Sequence, residues 1–480
     1  MALAYGNLEA QVQEKVSPST EKEAAAFGFH LAQDGDWLLI GAKDETINEV
    51  AGGTAYFFKR VNDSWLEWQK VIVSEPAAGD LFGISVDIDG EYAVIGADGD
   101  DDVSVNSGAA YVYKLVDGYW QFSQKLLPQE SGLGSSEMGI AVSLKAGVLV
   151  VGAYSDMTNG AFAGATYIYR LEGDNWVLDN KVLPSDGAAD DKFGRSVHTD
   201  GHRVIICGVL NDDNGTNSGS AYIFSKIGNS WIEETKLLAP DAFENDRFGR
   251  SLAINGNYAA VGSVLDDDNG EQSGSVYIFK EYTDGWRFES KITPDDGQAD
   301  DFFGYALSFH NPYLLVGAHN DDDYGLNSGA AYLFKRDGKD WLQLEKIYAL
   351  NPAAEANFGE AVDINVNYMA IGAPYTLKET ISTGAAYVLE SPLITDLPQS
   401  EKTEVRVYPN PTADRIYIDA GPFEGIIHLW LYDLTGKVLV EHGQVSNGFD
   451  LDLISYPPGV YQLQLVMATG IRESYQIIKK

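Results

Sequence analysis

Aspartate runs supply the first chemistry to weigh. They stand at Asp98, Asp100, Asp101 and Asp102, at Asp212 and Asp213, at Asp266, Asp267 and Asp268, and at Asp321, Asp322 and Asp323. A second set comprises Asp80, Asp190, Asp191, Asp246, Asp300 and Asp301. A hard cation such as Ca²⁺ takes about six to eight oxygen ligands, which convergent carboxylates and loop carbonyls supply. On that chemistry Asp100, Asp102, Asp212, Asp266, Asp268, Asp321 and Asp323 are candidate metal ligands, and Ca²⁺ is the one cofactor the sequence raises. The competing reading makes runs such as Asp266-Asp-Asp-Asn-Gly270 hydrated turns whose side chains bond their own backbone. No run has the full spacing of a calcium-binding EF-hand loop.

Aromatic side chains offer a second chemistry, stacking on sugars. Trp65, Trp120, Trp176, Trp231, Trp286 and Trp341 recur at one strand position, so they are expected to seal neighbouring sheets. Tyr119, Tyr154, Phe162, Tyr324 and Tyr375 break the repeat pattern in or near loops and are the candidate ligand-binding residues. Catalytic signals are missing. His30, His198, His202, His310, His319, His428 and His442 are scattered, with neither a zinc-type His-Glu-x-x-His nor a Gly-x-Ser-x-Gly elbow. His198 and His202 flank a turn and are expected at the surface, and Cys207 is expected as a small buried residue.

The elements that must carry these residues announce themselves by period. Phe-Gly pairs begin at Phe27, Phe82, Phe193, Phe248, Phe303 and Phe358, and Met138-Gly139 fills the gap, at spacings of 55 or 56 residues. Tyr56, Tyr111, Tyr167, Tyr222, Tyr277, Tyr332 and Tyr387 keep the phase, each with a glycine three residues earlier. Apolar runs end in Gly41, Gly96, Gly152, Gly208, Gly262, Gly317 and Gly372. Each unit holds four strand-like segments separated by Asp-Gly, Asn-Gly and Gly-rich turns. The second is apolar throughout, as in Tyr92-Ala-Val-Ile-Gly-Ala97, which suits a strand covered on both faces. The pattern predicts an all-β chain: a seven-bladed β-propeller of four-stranded blades over 1–390. Lysines recur after each tryptophan, and Lys15 lies 12 residues before Phe27 as Lys70 lies 12 before Phe82. Gln11 to Val16 is therefore expected as the fourth strand of the last blade, which hides an open sheet edge.

The ordered landmarks Phe-Gly, Ile-Gly-Ala and Ser107-Gly-Ala-Ala-Tyr-Val-Tyr113 resemble the FG-GAP repeat family of integrin α-subunits and bacterial surface proteins. The resemblance implies the propeller fold. It does not carry over the integrin-type calcium loop between the first two strands, where this chain has tight turns such as Asp87-Ile-Asp-Gly-Glu91.

After Glu390 the period stops, and residues 391–403 have the proline and polar content of a linker. Residues 404–480 read as seven short strands of a small Ig-like sandwich. They resemble the type A sorting domain of the type IX secretion system through Tyr408-Pro409-Asn410-Pro411, Gly436-Lys437, Gly459-Val-Tyr461 and the terminal Lys479-Lys480. That resemblance implies the outer-membrane type IX machinery as a partner and a secreted or surface location in a Gram-negative bacterium. The chain begins without a recognisable signal peptide, which such export requires to have been removed.

Composition bounds the rest. Asp and Glu total 71 against 33 Lys and Arg, a formal charge of −38, so nucleic acid is excluded as a partner and no run is long enough to span a membrane. The expectation is a non-enzymatic binding or adhesion propeller engaging an extracellular glycan or protein through a loop face. The alternatives are a secreted carbohydrate-active enzyme on the same ring and a structural surface-layer or motility component. A central-channel pocket with paired carboxylates and a tyrosine or histidine favours the enzyme.

Overall fold

The computed structural model describes residues 13–20, 25–129, 135–378, 381–392, 406–408, 411–412, 414–419, 426–433, 437–445, 449–467 and 472–480. These residues form strands and turns and contain no helix. The chain divides into two compact units, Met1–Ile394 and Thr395–Lys480. The boundary falls inside the segment expected as a linker, of which 393–403 lie outside the described residues.

In the first unit, seven four-stranded antiparallel sheets follow one another along the chain. The second is typical, with strands Val86–Asp89, Tyr92–Ala97, Ala109–Val116 and Tyr119–Leu126 in spatial order. Its second strand is buried at every position, as the unbroken apolar run requires. The first strands of successive sheets pack side by side, and the last, Val362–Ile364, returns to the first, Phe27–Asp34, so the sheets are arranged in a closed ring, as in a β-propeller. The last sheet takes its fourth strand from the start of the chain. Glu14–Val16 pairs antiparallel with Ala385–Glu390, placing Lys15 opposite Tyr387. Residues 11 and 12 of the expected strand lie outside the described residues.

The ladders read from the sequence meet in single clusters. Each Phe of a Phe-Gly pair sets its ring edge-on to the repeat tyrosine of its own sheet, as in Phe82 on Tyr111 at 5.2 Å and Phe303 on Tyr332 at 5.3 Å. The tryptophans seal sheet to sheet. Trp120 stacks flat on Phe57 of the preceding sheet at 4.7 Å, and Trp176 meets Tyr92 edge-on at 5.5 Å. Trp65, Trp120, Trp176 and Trp231 are buried.

One ladder position is corrected. Ile206 pairs with Tyr222 as Ile95 pairs with Tyr111, so Cys207, not Gly208, occupies the repeat-glycine position of the fourth sheet. Elsewhere that glycine admits the backbone of the next sheet. A Cβ on Gly317 would lie 2.0 Å from the Gly359 carbonyl oxygen. Cys207 is tolerated in its sheet, where its Sγ takes the Ser196 amide at 3.0 Å.

The second unit consists of a three-stranded sheet built from Arg406–Tyr408, Arg415–Asp419 and Phe449–Asp452, and a four-stranded sheet built from Ile426–Tyr432, Val438–Val445, Gly459–Met467 and Arg472–Lys479. Ile416, Ile418 and Leu451 of one sheet share a core with Leu429, Leu431, Leu463 and Ile477 of the other. All seven strands predicted from the sequence are present.

Candidate functional site

The first strand of each sheet is paired on one side only, and its free edge faces a central channel. Backbone amides there need acceptors. The preceding sheet provides them. Asp87 accepts from the Leu144 amide at 2.6 Å, Ser143 from Thr199 at 3.1 Å and His198 Nδ1 from Ile254 at 3.2 Å. Ser308 accepts from Ile364 at 3.0 Å and Asp363 from Gln33 at 2.9 Å. His30 Nδ1 takes the Val86 amide at 3.3 Å. These side chains form a belt that fastens sheet to sheet.

The belt's electrostatics follow from burial. Loss of water pushes the Asp87 carboxyl up to about 7 and that of Asp363 up to about 6, against the opposing pull of the amides that bond them. The same desolvation holds His30 and His198 down at about 4, which fits neutral rings using Nδ1 as an acceptor. His198 is thus a channel residue, not the surface residue expected, because the strand bearing it faces the axis; His202 is exposed.

Three positions before Asp87, Ser143, His198, Ser308 and Asp363, and one before His30, lies the mouth, on the side of the connections that follow the second and fourth strands. The residues following each Phe-Gly pair are Phe29, Ile84 and Ile140 on one arc and Arg195, Arg250, Tyr305 and Glu360 on the other; together with the belt side chains they line a cavity of about 210 Å³. Tyr305 is held by its hydroxyl donating to Glu360 at 3.2 Å and by His319, whose ring centre lies 3.7 Å from its own at a tilt of 32°. His319 Nδ1 lies 2.6 Å from the other Glu360 oxygen. The Arg250 guanidinium sits 4.1 Å from the Tyr305 ring centre, and that of Arg195 lies 5.8 Å from Tyr154. Burial lowers the Arg195 pKa, and the Arg250 charge lowers it further.

The candidate ligand-binding aromatics separate. Tyr154 and Tyr375 stand at this mouth; burial raises both hydroxyl pKa values, helped by Glu137 for Tyr154, while Tyr375 is pushed up to about 12 with Glu360 contributing. Phe162 joins them through Lys192, which lies 4.3 Å from Phe162 and 5.2 Å from Tyr154. Tyr324 lies in a connection after a second strand and packs on Tyr348 at 4.6 Å. Tyr119 begins a fourth strand and so emerges on the opposite side, beside Trp68. Arg195, Arg250, Tyr305 and Glu360 were missed by the sequence reading. Their signal was the position after each Phe-Gly pair, where the apolar series Phe29, Ile84, Ile140 turns polar.

The aspartate runs have another partner. Asp100, Asp266 and Asp321 are buried. Asp100 receives Lys125 at 2.7 Å, Asp266 receives Lys291 at 2.8 Å, and Asp321 receives Lys346 at 2.7 Å. The repeat tyrosine donates to the same carboxylate, Tyr111 to Asp100 at 2.6 Å and Tyr277 to Asp266 at 2.7 Å. Asp102, Asp268 and Asp323 bind the same three lysines at 2.6, 2.6 and 2.8 Å. Asp212 caps the Asn217 amide at 2.7 Å, as Asp267 caps Gln272. Four of the second set close their own turns, Asp80 on Ala77 at 2.8 Å, Asp191 on Ala188 at 2.7 Å, Asp246 on Phe243 at 2.7 Å and Asp301 on Gln298 at 2.7 Å. A lysine ammonium therefore supplies the positive charge that the calcium expectation assigned to an ion. No group of three or more His, Cys, Asp or Glu residues among the described ones is arranged to hold a metal. Glu45 with Lys70 and Asp156 with Lys181 extend the series to five sheets and were not among the candidates; in the fourth sheet Asn211 takes the position and Lys236 binds Asp213 and Asp186.

In the second unit, Tyr461 is buried and its hydroxyl donates to the Pro457 carbonyl at 2.6 Å. The Lys479 ammonium is buried and ties down the carbonyls of Leu453, Ile454 and Tyr456. Lys437 closes a turn with Asp433, and Gly459 opens a strand opposite Lys479. Pro411 and Lys480 are exposed. Pro409, Asn410, Gly436 and the Tyr408 side chain lie outside the described residues.

Four-stranded sheets repeated around a polar channel define an all-β, propeller-like repeat protein. The FG-GAP repeat family matches residues 65–113, 176–224, 231–279, 286–334 and 341–389, just over half of the chain, and the chain belongs to that family. Each match runs from a fourth-strand tryptophan to the third strand of the next sheet, the same one-strand offset that the N-terminal strand displays. Residues 406–480 match the secretion system C-terminal sorting domain. That domain indicates secretion or surface localisation through the type IX system and implies an encounter with its machinery. No helix among the described residues is long and apolar enough to cross a membrane. A search of curated proteins returned no match to this chain.

Proposed function

We propose that this chain is a non-enzymatic binding protein displayed outside a Gram-negative cell: a seven-bladed β-propeller that engages a glycan or protein at one face, delivered by an Ig-like sorting sandwich. The observation that carries this reading is the use made of the channel's ionisable groups. Asp87, Asp363, His30 and His198 each accept a backbone amide from the neighbouring sheet, so the groups that would serve as acid and base hold the ring together. Function is left to the open mouth, where Tyr154, Tyr375 and Phe162 gather around a polar arc. A glycan array probed with the full chain, with and without Ca²⁺, tests it. Selective, Ca²⁺-independent capture of a glycan family is the expected result, and a blank array together with no protein partner in crosslinking of the cell envelope would refute it.

The secreted-enzyme reading retains one observation in its favour. Asp87 and Asp363 both line the channel, with carboxyl pKa values of about 7 and about 6 that suit proton transfer near neutrality. Turnover of an array hit by the full chain, abolished in Asp87→Asn, would favour it over binding alone.

A further inference from the structure

The channel is lined by two arginines, Arg195 and Arg250, that form no ion pair among the described residues. Lys125, Lys291 and Lys346 each bind two or more carboxylates, as a chain with 71 acidic residues readily allows. Arg195 and Arg250, in adjacent sheets and at the same strand position, contact tyrosine rings and form no ion pair among the described residues. The carboxylate in the arc, Glu360, is already taken by His319 and Tyr305, and that of Asp98, which feels the Arg195 charge, is pushed up to about 6 by burial. Two like charges side by side and partly removed from water work against stability. Rule-breaking of this kind concentrates at functional sites.

We propose, building on the binding reading above, that Arg195 and Arg250 form the anion-recognising floor of the mouth and take the carboxylate of a sugar-sized acid, a uronic acid unit, whose ring lies against Phe29 and Ile84 of the facing arc. The guanidinium fork matches a planar carboxylate in bidentate geometry. The opposite arc is apolar, which suits the flat face of a sugar ring. A cavity of about 210 Å³ falls below the range of about 300–1,000 Å³ usual for drug-sized ligands, so it admits one residue rather than a folded chain segment. The surrounding field, set by a net charge of −38, penalises multiply charged anions such as phosphate more than a monocarboxylate.

Isothermal titration of the full chain with D-galacturonate, D-galactose and inorganic sulfate tests the assignment. Galacturonate is expected to bind, with galactose and sulfate at least about tenfold weaker, because neither supplies both the charge and the ring. Arg195→Gln and Arg250→Gln are each expected to weaken galacturonate by about tenfold or more while leaving the thermal midpoint unchanged or raised, since each removes half of a repelling pair. An oligogalacturonate that binds more tightly than the monomer assigns the site to polysaccharide chain ends; equal affinities assign it to the free acid. Equal binding of galactose and galacturonate, unchanged affinity in both variants, or a midpoint that falls in both variants overturns the proposal. If galacturonate is silent while the array captures a neutral glycan, the anion assignment fails and the binding reading survives; if both are silent, both fail.

Discussion

Replacing Lys291 with methionine separates the lysine-clasp account of the aspartate loops from a calcium account. The Lys291 ammonium lies 2.8 Å from Asp266, 2.6 Å from Asp268 and 3.1 Å from Asp241. Asp266 is the member that matters, because its side chain is only 4% exposed, whereas Asp268 and Asp241 are about half exposed and their pairing is screened by solvent. Burial acts to lower the Lys291 pKa, but the hydrogen bonds from Asp266 and Asp268 outweigh it and raise the value. With the folded pKa above the unfolded one, the contribution is fully present at neutral pH and is lost only as pH climbs past the ordinary lysine value of about 10.4. Removing one partner of a buried pair costs about 3–5 kcal/mol. An unfolding entropy of about 2.1 cal/mol/K per residue over the whole first unit, Met1–Ile394, gives about 1 °C per kcal/mol, so Lys291→Met should lower the midpoint by roughly 4–6 °C. The double variant Lys291→Met with Asp266→Asn should recover most of that loss, since it removes the stranded charge. Thermal unfolding of the full chain, followed by circular dichroism after chelation and again with millimolar Ca²⁺, reads both accounts. A wild-type midpoint that rises with Ca²⁺, or a Lys291→Met midpoint equal to wild type, would refute the clasp.

Three further outcomes follow from the packing. Gly317→Ala would put a Cβ 2.0 Å from the Gly359 oxygen and force two sheets apart, a cost of about 1–3 kcal/mol or more by overpacking; Cys207→Gly should cost less, and urea midpoints for the pair will show whether the repeat glycine exists for close approach. His198→Asn keeps an acceptor for the Ile254 amide but removes a ring held at about 4; because the unfolded chain takes up its proton near 6.5 and the folded one only near 4, wild-type stability falls as pH drops through that window. The Asn variant should therefore show a shallower acid limb, by about 3 kcal/mol at most, in denaturant melts between pH 7 and 4. Val16→Asp places an unpaired carboxylate among Leu31, Tyr56 and Ala386, and should open the last sheet, seen as earlier tryptic cleavage than in wild type.

Much of this architecture was legible in the residues themselves. A chain of near-identical units solves the same packing problem in each, so the partners Phe, Tyr, Asp and Lys recur at fixed spacing, and the missing fourth strand after Tyr387 could be matched to the segment around Lys15 by counting. The seven strands of the sorting domain were readable for a similar reason, since alternation and turn residues are local. Period could not reveal which exceptions mattered. Cys207 and Gly208 are one register apart, and only strand pairing with Ala221 and Ser220 decides which of them faces the next sheet. Carboxylates in a loop look alike whether they bind a cation, a lysine or their own amides, because the competing donor lies on another strand 23 or 25 residues away. Arg195, Arg250, Tyr305 and Glu360 are separated by 55 residues at each step and become neighbours only when the ring closes. Local sequence thus determined strands, turns and export, through short-range sterics and hydrophobic pattern. The channel and its charge arrangement were decided by the tertiary structure, because electrostatic partnership depends on distance in space and the chain order carries no record of it.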